Sequence, residues 1–139
     1  MLRLVPLALA AFGFCAGPAA AQEVKLSAHL TGAAEKPAGD PKGMGHATVR
    51  VDAAKSQVCY DLMVEGLTGT MAHIHKAAPD ASGPVAVPLA APDAAGKSSG
   101  CATVDPAVAK DIATNPGGYY VNVHSADFKA GAIRGQLGK

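Results

Sequence analysis

Apolar and polar residues alternate with a period of two along most of this chain. Val24, Leu26, Ala28 and Leu30 alternate with Lys25, Ser27, His29 and Thr31. Ala47, Val49 and Val51 alternate with His46, Thr48, Arg50 and Asp52, and Val58, Tyr60, Leu62 and Val64 with Cys59, Asp61, Met63 and Glu65. Each run predicts a strand buried on one face only. Val85, Val87 and Leu89 predict another, which Pro84 and Pro88 push toward a sheet edge. Ala102 and Val104 predict a short strand, and Tyr119 to His124 and Ala132 to Leu137 close the series. The stretches 37–45, 77–83 and 91–100, rich in Gly, Pro, Ala and Ser, read as loops. One helix is expected near 105–115. Asp105 suits its N-cap, Pro106 its first position, Val108 and Ile112 share a face, and Asn115-Pro116-Gly117-Gly118 ends it. Many short strands separated by Gly/Pro turns predict a mostly-β, antiparallel sandwich or barrel with this one short helix.

The phasing carries chemistry as well. In Ala72-His73-Ile74-His75 the two histidines point to one face and Ile74 to the other. Tyr120, Asn122 and His124 likewise share a face opposite Val121 and Val123. If these two strands are neighbours, His73, His75 and His124 converge into a transition-metal site. The bland alternative is three surface-facing histidines bonded to loops. An all-imidazole set without carboxylate favours copper, and three histidines plus water also suit zinc. Met71 shares the histidine face and reads either as a Cu(I) donor or as a gap-filling side chain. His46, which follows Met44, would add a ligand if its strand end reached the site. His29 reads as a solvated strand residue. Asn122 reads as a partner orienting an imidazole or as support for a turn.

The first residues add a compartment. Arg3, the apolar run Leu4 to Phe14 and Ala19-Ala20-Ala21 before Gln22 form a secretory signal peptide over residues 1–21, too short to span a bilayer. Residues 22–139 then form a single domain, periplasmic or secreted, with no membrane insertion after cleavage. Without Arg3 the mature chain is electrically balanced and has no basic cluster, which argues against nucleic acid as a partner. Cys59 and Cys101, its two cysteines, are expected to pair in an oxidising compartment. Both fall on the non-core side of their strands, and the bridge requires those strands to be neighbours. Tyr60, Tyr119, Tyr120 and Phe128 are the aromatic residues of the mature chain, so the core rests on aliphatic side chains. No G-x-S-x-G, H-E-x-x-H or glycine-rich phosphate loop is present, and Ser125 points away from its neighbour His124.

Across Leu26 to Leu137 the chain resembles the CHRD family, first described in chordin and common in secreted bacterial proteins. The resemblance is carried, in order, by Gly66-Leu67, Ala72-His73-Ile74-His75, Gly83-Pro84-Val85-Ala86-Val87, Tyr119 to Ser125 and Gly131 to Leu137. It implies a secreted, mostly-β domain. His73-Ile74-His75, Val123-His124 and Arg134 also look similar, in order and spacing, to the copper ligands and the active-site arginine of copper-zinc superoxide dismutases. That likeness implies a Greek-key-like, dismutase-like fold with a three-histidine copper site. It lacks a match for the bridging histidine and for the zinc cluster. By the same analogy Arg134 would guide a small anion to the metal; the alternative is a structural salt bridge or carbonyl clamp.

Three functions follow as expectations. The first is an exported copper-binding protein that buffers, carries or presents the metal, with no established catalysis. The second is a superoxide dismutase-like oxidoreductase. The third is a metal-free structural or adhesive extracellular module.

Overall fold

The computed structural model describes residues 22–139; the leader expected over residues 1–21 lies outside the described residues. Eight strands follow in chain order: β1 (Val24–Thr31), β2 (Met44–Asp52), β3 (Gln57–Glu65), β4 (Gly69–Lys76), β5 (Val85–Leu89), β6 (Lys97–Thr103), β7 (Tyr119–Ser125) and β8 (Ile133–Gln136). One helix, α1 (Pro106–Thr114), separates β6 from β7. Every strand pair is antiparallel, and the sheet runs β5-β4-β7-β8-β1-β2-β3-β6.

The two ends of this sheet, β5 and β6, approach each other, so it curls into a nearly closed barrel. Side chains bridge the seam at one residue. The Ala90 amide donates to Tyr60 Oη at 2.8 Å, and Ser98 Oγ donates to the Ala90 carbonyl at 2.7 Å. Across the seam β4, β5 and β6 follow one another and β7 returns beside β4, which is a Greek-key path. The expected mostly-β antiparallel barrel with one short helix is therefore the observed architecture.

Leu26, Leu30, Val49, Val51, Val58, Leu62, Ile74, Val87, Val121, Val123 and Ile133 fill the barrel, as their period-two phasing requires. The helix forms where expected: Asp105 accepts from the Ala107 amide at 2.8 Å, and Ala109 and Ile112 enter the core. Asp111 ties it to the sheet, accepting from Tyr119 Oη at 2.6 Å and from Lys76 Nζ at 2.7 Å. Cys59 and Cys101 face each other across β3 and β6 and form a disulfide outside the barrel.

Two local expectations change. Residues 97–100 belong to β6 and not to a loop, because β3 offers them a continuous ladder from Gln57↔Thr103 to Met63↔Lys97. Likewise Met44 and Gly45 already belong to β2. More consequential is β7, where all seven residues are buried. Its outward face is covered by the segment after β1, which is pinned to the β7–β8 connection by the Asp40 amide donating to the Ala132 carbonyl at 2.8 Å. Glu35 is carried inward on that segment and is 4% exposed. Its carboxyl packs on Gly131, where φ is +145° and an added Cβ would stand 2.5 Å from Glu35 Cδ. Glycine is needed there on both counts.

Candidate metal centre

Strand β4 lies between β5 and β7, so the outward face of its middle is flanked on both sides. Ile74 is fully buried in the barrel, and His73 and His75 stand on the opposite face, half-buried. In the β4–β7 register His75 faces Tyr120, His73 faces Asn122 and Met71 faces His124. This pairing brings His124 diagonally beside His73, and ligand-capable nitrogens of His73, His75 and His124 all lie within 4.8 Å of one another. The convergence expected from phasing is what the β4–β7 pairing produces.

Hydrogen bonds orient the rings. His75 Nδ1 lies 2.8 Å from the Gly83 carbonyl, and His124 Nδ1 lies 2.8 Å from the Lys129 carbonyl. A carbonyl only accepts, so each Nδ1 carries the hydrogen and each Nε2 keeps a lone pair. His73 Nδ1 sits 3.2 Å from His124 Nε2, so in the metal-free protein the His73 hydrogen points at the His124 lone pair. A cation held by the three rings would take the place of that hydrogen, with the His73 proton then carried on Nε2. His75 Nε2 is buried and has no hydrogen-bond partner among the described residues, and a metal ion would satisfy a buried nitrogen of this kind. The donor set therefore fits a transition-metal ion: three neutral imidazoles, two of them fixed by carbonyls in the way that metal-ligating histidines usually are.

Electrostatics disfavour a charge on His73. Burial lowers the pKa of His73, and the neighbouring His124 and His75 lower it further, against a smaller opposite pull from Asn122. Desolvation and like charges both disfavour the imidazolium form, which is the form unable to bind metal.

A buried shell backs the rings. The Tyr120 ring stacks on His75 with 5.0 Å between centroids and 3° between planes. Strand β8 flanks β7 on its other side, and from there the Arg134 guanidinium carbon sits 3.9 Å from the Tyr120 centroid. Asn122 faces His73 on β4 and Arg134 on β8. Glu35 lies beside Asn122 and Arg134; burial raises its pKa, while Arg134 and Asn122 act in the opposite direction.

The remaining sequence candidates separate. Met71 is opposite His124 and 48% exposed, at the rim of the trio. It fills no gap in the core. His46 is not brought to the trio, because β8 and β1 lie between β7 and β2; its register partners are His29 and Met63. Arg134 is 2% exposed. Glu35, Gly83 and Lys129 escaped the sequence reading. The last two act through backbone carbonyls, which residue type does not reveal, and Glu35 sits in a loop with no periodic signal. The Tyr120–His75 stack was half legible, since both residues lie on the outward phase.

No curated protein and no solved structure matches the chain. Residues 26–137 match the model of the CHRD domain, a span that contains all of the barrel except the first two residues of β1, and all three histidines. By this match the chain belongs to the CHRD domain family.

Proposed function

We propose that this protein is an exported copper-binding protein that uses His73, His75 and His124 to buffer, carry or present the metal. The carrying observation is the mutual approach of the three imidazole nitrogens within 4.8 Å, with His75 Nε2 buried and without a hydrogen-bond partner among the described residues. Imidazole donors suit copper and zinc alike, and copper heads the divalent affinity order, so copper is the metal of choice and zinc the competitor. The disulfide and the leader sequence support an oxidising compartment. No helix among the described residues is long and apolar enough to cross a membrane.

Carriage is favoured over dismutase-like turnover by the place of Arg134. An anion guide needs its guanidinium at the mouth of the site, whereas this one is 2% exposed and lies against Tyr120. Its position supports a clamp on the stack behind His75.

The test is elemental analysis of protein isolated from its native compartment, joined to copper titration of wild type and of a His73→Ala/His75→Ala/His124→Ala variant. About one tightly held copper per chain is expected, lost in the triple variant. Unchanged stoichiometry and affinity in that variant, or zinc as the resident metal, would overturn the reading.

A further inference from the structure

The residue that failed to join the trio points to a second place on the molecule. His46 is directly opposite His29 on β1 and directly opposite Met63 on β3. Met44, two residues before His46, is on the same face of β2. All four side chains point outward and surround one shallow depression of about 160 Å³, with Glu65 at its edge. Directly opposed residues on antiparallel strands have Cβ atoms about 4.5–5.5 Å apart, within reach of a shared ion for side chains as long as Met and His.

We propose that His29, Met44, His46 and Met63 form a second metal site, on the outer face of β1–β3, selective for a soft monovalent cation: Cu(I), or Ag(I) as its surrogate.

Methionine is ordinarily a core residue or a gap-filler. Here Met44 is 51% and Met63 42% exposed, and the core is built from aliphatic and tyrosine side chains with no methionine among the described residues. A scattered exposed apolar residue is unremarkable on a protein surface. Two thioethers flanking the same histidine in strand register are a donor set. Two thioethers and two neutral imidazoles carry no charge, and thioether donors select Cu(I) over divalent ions. Glu65 supplies a nearby negative charge without being required as a ligand. Strand β8 lies between β1, which carries His29, and β7, which carries His124, so this site and the three-histidine centre share no ligand and can be tested independently.

The test is an Ag(I) titration of the disulfide-bonded mature protein, followed by NMR of methyl-labelled methionines and of histidine rings. With about one equivalent, the Met44 and Met63 methyls should move together with the His29 and His46 rings. Met44→Leu/Met63→Leu, conservative at exposed positions, should weaken Ag(I) at these histidines at least about tenfold. It should leave copper(II) stoichiometry at the trio unchanged. The proposal is overturned if the Met44 and Met63 methyls stay still while only Met71 responds, if the double variant binds Ag(I) like wild type, or if Zn(II) fills the same four residues as tightly.

Discussion

Tyr120 lies flat against His75, with 3° between the ring planes, and the Arg134 guanidinium closes on the same tyrosine at 3.9 Å. His75 is thereby held by the Gly83 carbonyl at its Nδ1 edge and by an aromatic wall on one face. Tyr120→Ala removes the wall and opens a cavity, so it should destabilise the fold by about 3 kcal/mol or more. It should also weaken copper binding, because His75 regains rotational freedom. Tyr120→Phe keeps the ring and should bind copper like wild type. Thermal melts and copper titrations of both variants check this; equal affinity in Tyr120→Ala would show that the stack does not position His75.

The pH response of the metal-free protein follows from His73. Its pKa in the fold lies below that of an ordinary histidine, with burial as the first cause. The unfolded chain therefore binds a proton more readily. The stability associated with neutral His73 is present above the unfolded value and is lost as pH falls through the lower folded value. Chelator-treated wild type should lose more melting temperature between pH 7.5 and pH 5 than His73→Gln does. Identical losses in the two proteins would refute the contribution of this imidazole.

Glu35 has the opposite sign. Its pKa in the fold is raised, chiefly by burial, so the fold favours the protonated carboxyl. The associated stability is present below the unfolded value and is lost as pH rises through the folded one. Glu35→Gln mimics the protonated form. Relative to wild type, its melting temperature should be higher at pH 8 than at pH 4. A difference that stays constant across this range would show that Glu35 ionises in the fold as easily as in water.

The disulfide joins strands β3 and β6, away from β4 and β7, and spans 42 residues of sequence. Loop closure of that length contributes about 3–4 kcal/mol, on an entropic account of the unfolded chain. Cys59→Ala/Cys101→Ala should lower the unfolding midpoint by roughly 10 °C or more. Copper stoichiometry below that midpoint should not change, because β4 and β7 keep their ladder. Calorimetry and copper analysis of the variant measure both effects, and loss of copper from a folded variant would contradict this separation.

Local alternation determined a great deal of this protein. It marked seven of the eight strands in nearly their observed positions, the barrel-facing residues of β1 to β4, and the cap and face of α1. It also placed His73 and His75 on one face and Cys59 and Cys101 outside the core. These properties depend on backbone geometry within a few residues, where a period of two leaves little choice. Residues 97–100 were the exception in β6, because Lys97-Ser98-Ser99-Gly100 has little strand preference of its own and is extended by the ladder to β3.

Which strands become neighbours is a different matter, decided only when the whole barrel closes. The sheet order set β7 beside β4 and so brought His124 to His73; the same order left His46 with His29 and Met63. Alternation tells each residue its face but not what covers that face. Tyr120, Asn122 and His124 were therefore legible as outward-facing residues, and their burial was not. That burial comes from the segment carrying Glu35, held over β7 by the hydrogen bond from Asp40 to Ala132 and by the close packing of Glu35 on Gly131. The sequence by itself determined the ligand types and their phase; the tertiary structure decided their company, because long-range pairing and loop packing are cooperative properties of the complete chain.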